Sequence, residues 1–139
     1  LRFHPVEILA SMLYKIGIIF LLGPTPIAVL VFEAVLNGMA LFSHSNIALP
    51  VKIDHFFKKL IVTPDMHRIH HSVEVSETNS NYGFNLSIWD RALGTYKEKA
   101  LKAQPEIAIG IDAFRSPSEL TFCKLLMMPK NYGNLTYVT

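Results

Sequence analysis

The run Thr63-Pro64-Asp65-Met66-His67-Arg68-Ile69-His70-His71 places three of the chain's six histidines within five residues. Neutral imidazole is a nitrogen donor that suits iron, zinc and copper. On a helix, residues three and four apart are neighbours, so His67, His70 and His71 crowd one side. A helix is expected here. Thr63 suits the N-cap, Pro64 the first helical position and Asp65 the positive end of the dipole. At about 100° per residue, His67 and His71 lie roughly 40° apart, whereas His70 and His71 diverge by about 100°. A single ion does not readily take both members of that adjacent pair, so the spacing predicts two ions with the pair divided between them. A solvated basic helix face is the ordinary alternative. The clean helix start, the tight spacing and the apolar segments just upstream favour metal ligation.

The remaining histidines carry less. His44, in Leu41-Phe42-Ser43-His44-Ser45-Asn46, stands where an apolar segment ends. It can face the triplet from another helix, the usual way helical proteins build metal sites. His44, His67, His70 and His71 are therefore the candidate ligands: enough for one closed zinc site, about half of what two ions of higher coordination number require. His4, before Pro5, is expected to cap a helix, and His55, among Phe56, Phe57 and lysines, to be an interfacial surface residue.

The elements that must position these rings are apolar. The chain has 139 residues, 50% hydrophobic and 17% charged, with a mean hydropathy of +0.30. The charged share is low against roughly 25% in soluble proteins, and the apolar excess gathers before residue 45. Residues 5 to 22 and 27 to 42 are apolar runs separated by the breaker Gly23-Pro24-Thr25-Pro26. They are near the lower limit for a membrane span and predict a helical hairpin in the bilayer. The expected fold is all-α: an integral membrane protein with a transmembrane hairpin over residues 5–44, a histidine-bearing region over 45–96 and a C-terminal cytoplasmic extension over 97–139. Arg2, Lys52, Lys58, Lys59 and Arg68 lie at the end away from the turn, which puts the histidines on the cytoplasmic side. Lys15, Glu33 and Asn37 are expensive in lipid; pairing of Glu33 with Lys15 is the expectation. Residues 50–61 fit a helix lying in the membrane interface.

Further along, residues 76–83 predict a polar loop and Phe84–Leu93 a short helix carrying Trp89 and stopped by Gly94. Ser116-Pro117-Ser118-Glu119 reads as a capping box opening a helix that runs through Leu126 and stops before Pro129. Cys123, the only cysteine, is expected to be buried and inert. A net charge of +2 without a basic, aromatic-interleaved run argues against nucleic-acid binding. The first residues, Leu1-Arg2-Phe3-His4-Pro5, begin mid-pattern and carry no signal-peptide features, so an N-terminally incomplete chain is expected.

The combination of His67-x-x-His70-His71 after Thr-Pro, Asn79-Ser-Asn81-Tyr82-Gly83-Phe84-Asn85, and Trp89-Asp90-Arg91-x-x-Gly94-Thr95-Tyr96 resembles the fatty acid hydroxylase/sterol desaturase superfamily. Arg2-x-His4-Pro5-x-Glu7, Phe42-x-His44-x-Asn46 and Gly110-Ile-Asp112-Ala-Phe114-Arg115 fit its bacterial-type members. The resemblance implies an integral membrane oxidoreductase with two iron ions in a di-iron centre on the cytoplasmic side. Its implied partners are a membrane lipid (sterol or fatty acyl), dioxygen and an external electron donor. The resemblance makes His67, His70, His71 and His44 metal ligands. The family's earlier histidine boxes are absent, so the centre is incomplete in this chain. Asp65, Glu77, Asn46 and Asn81 are candidates to orient the imidazoles, with a loop or cap role the ordinary alternative for each. Trp89 and Tyr82 are candidates to wall the site, with interfacial anchoring their ordinary alternative. Two rivals remain: a zinc-dependent lipid hydrolase, and a non-catalytic membrane metal-binding remnant.

Overall fold

The computed structural model describes residues 4–110 and 116–132; Arg2 and the tail motif at 111–115 lie outside them. Among the described residues the fold is all-α: α1 (Pro5–Leu22), α2 (Pro26–Ser43), α3 (Val51–Phe57), α4 (Pro64–His70), α5 (Val75–Thr78), α6 (Ile88–Leu93) and α7 (Phe122–Tyr132). Among the described residues there is no sheet, only isolated bridges at Ile61–Leu86 and Ser72–Ile109. Two compact units result: Leu1–Pro24 with Asp112–Thr139, and Thr25–Ile111.

In the first unit, His4 opens α1 as expected. Its Nδ1 accepts from the Val6 N–H, which leaves the proton on Nε2, and that nitrogen donates to the Leu126 carbonyl at 3.0 Å. α7 departs from expectation. Pro117–Glu119 forms a single 3₁₀ turn, and the helix starts at Phe122 and continues past Pro129 to Tyr132. A proline inside a helix removes one i→i−4 bond and kinks the helix as an alternative to ending it. Cys123 is exposed, not buried: the described side chains of α7 are mostly exposed, so no core forms there to enclose the thiol.

α1 and α2 each have 18 residues and a mean hydropathy of 1.8, long and apolar enough to cross a membrane by length and composition. In α2, which belongs to the second unit, Thr25 caps the first turn and only Ala40 and Ser43 are buried. Asn37 Nδ2 donates to the Glu33 carbonyl at 2.7 Å and approaches the Glu33 carboxylate at 3.4 Å, so two polar residues of this helix serve each other.

Among the described residues the buried hydrophobic set is small: Ala40, Val62, Met66, Ile69 and Ile107. Buried polar residues do much of the fastening. Asn81, in the left-handed region at φ 52°, donates to the Met66 and Lys97 carbonyls and accepts from the Lys97 N–H. Asp90 accepts from the Tyr82 and Gly83 N–H groups and from Thr95 Oγ1. Gly83 is required for this contact: a Cβ there would lie 2.7 Å from both Asp90 Oδ2 and the Leu86 carbonyl oxygen. α6 is shorter than the expected Phe84–Leu93 because residues 85–87 are taken by backbone pairing. Val62 N–H donates to the Asn85 carbonyl and Ser87 N–H to the Leu60 carbonyl. Gly94, at φ 73°, ends the helix as expected. The polar stretch 76–83 is not wholly loop, since α5 covers its first residues.

Residues 97–110 close over α4 within this same unit. Arg68 donates to Asp65 and to Gln104, and Gln104 Nε2 donates to the Asp65 carbonyl. Val73 N–H donates to the Ala108 carbonyl and Gly110 N–H to the His71 carbonyl.

Candidate metal centre

α4 forms where its local signals place it. Thr63 Oγ1 accepts from the Met66 N–H, Pro64 holds the first helical position, and the helix ends at His70 with His71 as C-cap. Buried Met66 and Ile69 fix its rotation. His44, the C-cap of α2, comes from a separate element.

Three rings converge. Nε2 of His67 lies 3.0 Å from Nε2 of His44 and 3.1 Å from that of His71, and the His71–His44 separation is 3.2 Å. The His44 tautomer follows from its other nitrogen: Nδ1 lies 2.8 Å from the Ala40 carbonyl, which can only accept. Nδ1 therefore carries the proton, and Nε2 presents a bare lone pair. In a closed triangle each nitrogen is either a bare acceptor or an N–H donor, so at least one edge must set like against like. Hydrogen bonds among the rings cannot satisfy all three; a cation accepting all three lone pairs does. The spacing agrees, because metal–nitrogen bonds of about 2.0–2.1 Å hold two ligand nitrogens on one ion about 3.0–3.4 Å apart. The residues present thus fit a metal ion. His67 Nδ1 is buried without a hydrogen-bond partner.

Electrostatics keep these donors ready. Burial, then the neighbouring His71, His44 and His70, push the His67 pKa from 6.5 down to about 3. Burial, then His70 and His44, bring His71 down to about 4. Both rings are neutral at physiological pH, the form that binds metal.

His70 stands apart from the triangle. Its Nδ1 donates to the Ser80 carbonyl at 3.0 Å, which leaves its Nε2 bare, and its ring centroid lies 5.3 Å from that of His71 and 5.5 Å from that of Tyr82. The structure thus brings together His44, His67 and His71, a set that His70 does not join. His55 instead meets Glu98 at 3.3 Å on the surface.

The candidates for orienting imidazoles act differently from expectation. Asp65 bonds Arg68, and Asn81 ties backbone to backbone. Glu77 bonds the Leu101 N–H. Burial raises its pKa, but donors from Ser72 and Leu101 and the charges of Lys97 and Lys102 outweigh burial and hold the carboxyl below its ordinary value. Asn46 is exposed. The rings are held by carbonyls at Ala40 and Ser80, which sequence cannot flag because every residue has one. Asp90 had only its place in the Trp-Asp-Arg run as a signal.

Comparison with known families matches residues 1–95 to the family described as fatty acid hydroxylase. The chain belongs to that family. Among curated relatives, the ornithine lipid hydroxylase OlsE of Rhizobium tropici is 35% identical over 114 residues, covering 78% of this chain. The match spans only 32% of that relative's length. No solved structure matches. The three-histidine cluster lies within the matched region and is consistent with a histidine-box metal site in a fatty acid hydroxylase.

Proposed function

We propose that this chain is the histidine-bearing part of a membrane-bound, di-iron, dioxygen-dependent enzyme that hydroxylates or desaturates a lipid C–H bond. The observation that carries the reading is the triangle of His44, His67 and His71 Nε2 atoms in a chain of this family. These three would hold one iron. His70, turned aside by Ser80, is assigned to a second iron completed by the family's earlier histidine boxes. An unactivated C–H bond offers no handle to acid–base side chains, and iron, when bound, supplies the activation of dioxygen that such a bond demands.

The chain's own residues place and protect the donors. The Ala40 carbonyl fixes the His44 tautomer, burial keeps His67 unprotonated, and Asn81 locks the α4 backbone at Met66 to the chain at Lys97. α1 and α2 are read as membrane spans, with the histidines on the cytoplasmic side beside the cluster of lysines. A lipid then reaches the site from the bilayer, while electrons arrive from a separate donor on the aqueous side. The relative named for ornithine lipid hydroxylation makes an acylated polar lipid the first substrate class to test.

Lipid mass spectrometry of cells expressing the intact gene, with and without His67→Ala, tests this. The expected result is a lipid one oxygen heavier or two hydrogens lighter, formed only in air and only with His67. A product formed equally without oxygen would support the zinc hydrolase instead, and a product that survives His67→Ala would overturn the site.

A further inference from the structure

A helix on a water-facing domain turns its apolar side inward and its polar side out. α3 and α6 do the reverse. On α3 and the turn that follows it, the buried residues are Asp54 and Lys58, 7% and 8% exposed and closed in an ion pair with each other, while Phe56 is 62% exposed. On α6, Asp90 is 1% exposed, and Trp89 and Leu93 are 61% and 76% exposed. Both carboxylates point inward because the interior of this unit is fastened by polar groups. Both apolar faces are consequently turned out.

The two helices meet at one atom. The Lys58 carbonyl accepts from Ser87 Oγ and from Arg91 Nη2. At about 100° per residue, Ile53, Phe56, Phe57 and Leu60 fill one sector of α3 and its following turn, and Lys52 and Lys59 fill the adjoining sector. Trp89 and Ile61 also line, with Val35 and Met39 of α2, an open apolar groove of ≈ 460 Å³. Val35 and Met39 precede the end of α2 by eight and four residues, about 12 and 6 Å along its axis. If α2 spans the bilayer, its 18 residues cover about 27 Å. Met39 then lies near the boundary between headgroups and acyl chains, where tryptophan is enriched, and Val35 lies deeper.

We propose that α3 and α6 form one in-plane platform seated in the boundary between headgroups and acyl chains. The apolar faces enter lipid, and Lys52 and Lys59 meet anionic phospholipid headgroups. The proposal rests on the reading of α2 as a span. The platform fixes the height of the histidine cluster over the membrane surface, since α4 begins six residues after Lys58.

Trp89 is the only tryptophan, so the unaltered chain carries its own probe. The full chain is reconstituted in vesicles of phosphatidylcholine and phosphatidylglycerol whose acyl chains are brominated either near the carbonyl or deeper. The platform predicts that Trp89 is quenched most by the shallow bromines, and that Phe56→Trp in a Trp89→Phe chain behaves likewise. Phe32→Trp in the same background reports on α2 and should be quenched by the deep bromines. Replacing phosphatidylglycerol with phosphatidylcholine should reduce quenching at position 56, and Lys52→Ala with Lys59→Ala should abolish that lipid dependence. Quenching at 32 but not at 56 or 89 overturns the platform and leaves the span standing; in that case, cross-linking through this face identifies a second copy as its occupant. Quenching at none of the three overturns both readings.

Discussion

His67 combines burial with three imidazole neighbours, and all of them disfavour its protonated form. With the pKa at about 3 folded against 6.5 ordinarily, the unfolded chain binds a proton that the folded chain refuses between those values. Stability therefore rises with pH across that window and levels off above about 6.5. His71 acts in the same sense down to about 4. Glu77, also lowered, adds stability that is present above its ordinary carboxylate range and lost on acidification. The metal-free chain should show a falling thermal midpoint from pH 6.5 to 4; a flat profile would contradict the burial of these rings. His70 gives a second test at this scale. Because its Nδ1 is committed to Ser80 and it lies outside the triangle, His70→Ala should leave binding of a single cobalt(II) ion within about threefold of the parent, as followed by its visible absorption.

At the scale of elements, the loop from Asn79 to Asn85 and α6 are held as one piece by Asp90 and by the absence of a side chain at Gly83. Gly83→Ala forces a Cβ to 2.7 Å from two oxygens. It should cost about 1–3 kcal/mol, as overpacking does, measured as a shift in the denaturation midpoint; an unchanged midpoint would show that the loop is not so fastened. What was legible in sequence follows from what is local. α1, α2 and α4 carry their start signals in adjacent residues: a capping His or Thr, then proline. Their observed bounds agree closely with the reading. The start of α6 was not legible, because residues 85–87 are claimed by backbone partners at Leu60 and Val62, far away in sequence. The capping-box pattern at Ser116–Glu119 yields only a 3₁₀ turn, so a local signal alone did not start α7. Asn81 was legible as important but not in its role, since its partners at Met66 and Lys97 lie 15 and 16 residues away.

Across the molecule, the histidine helix is built into a frame whose parts come from distant segments. His44 arrives on α2, residues 97–110 close over α4, and Trp89 of α6 shares an apolar groove with Val35 and Met39 of α2. His44 could be suspected from its place at the end of an apolar run. The Ala40 carbonyl that sets its tautomer, and the Gly110 N–H that holds the His71 carbonyl, emerge only from the folded chain. All of this converges on one claim, that His44, His67 and His71 jointly bind a cation. Cobalt(II) titration of the purified full chain, parent against His67→Ala, tests it most directly. Binding at the triad should give intense visible bands with one-to-one stoichiometry and weaken by more than about 100-fold in the variant, beyond what loss of a merely supporting contact produces; equal affinity and identical spectra in the two proteins would contradict it.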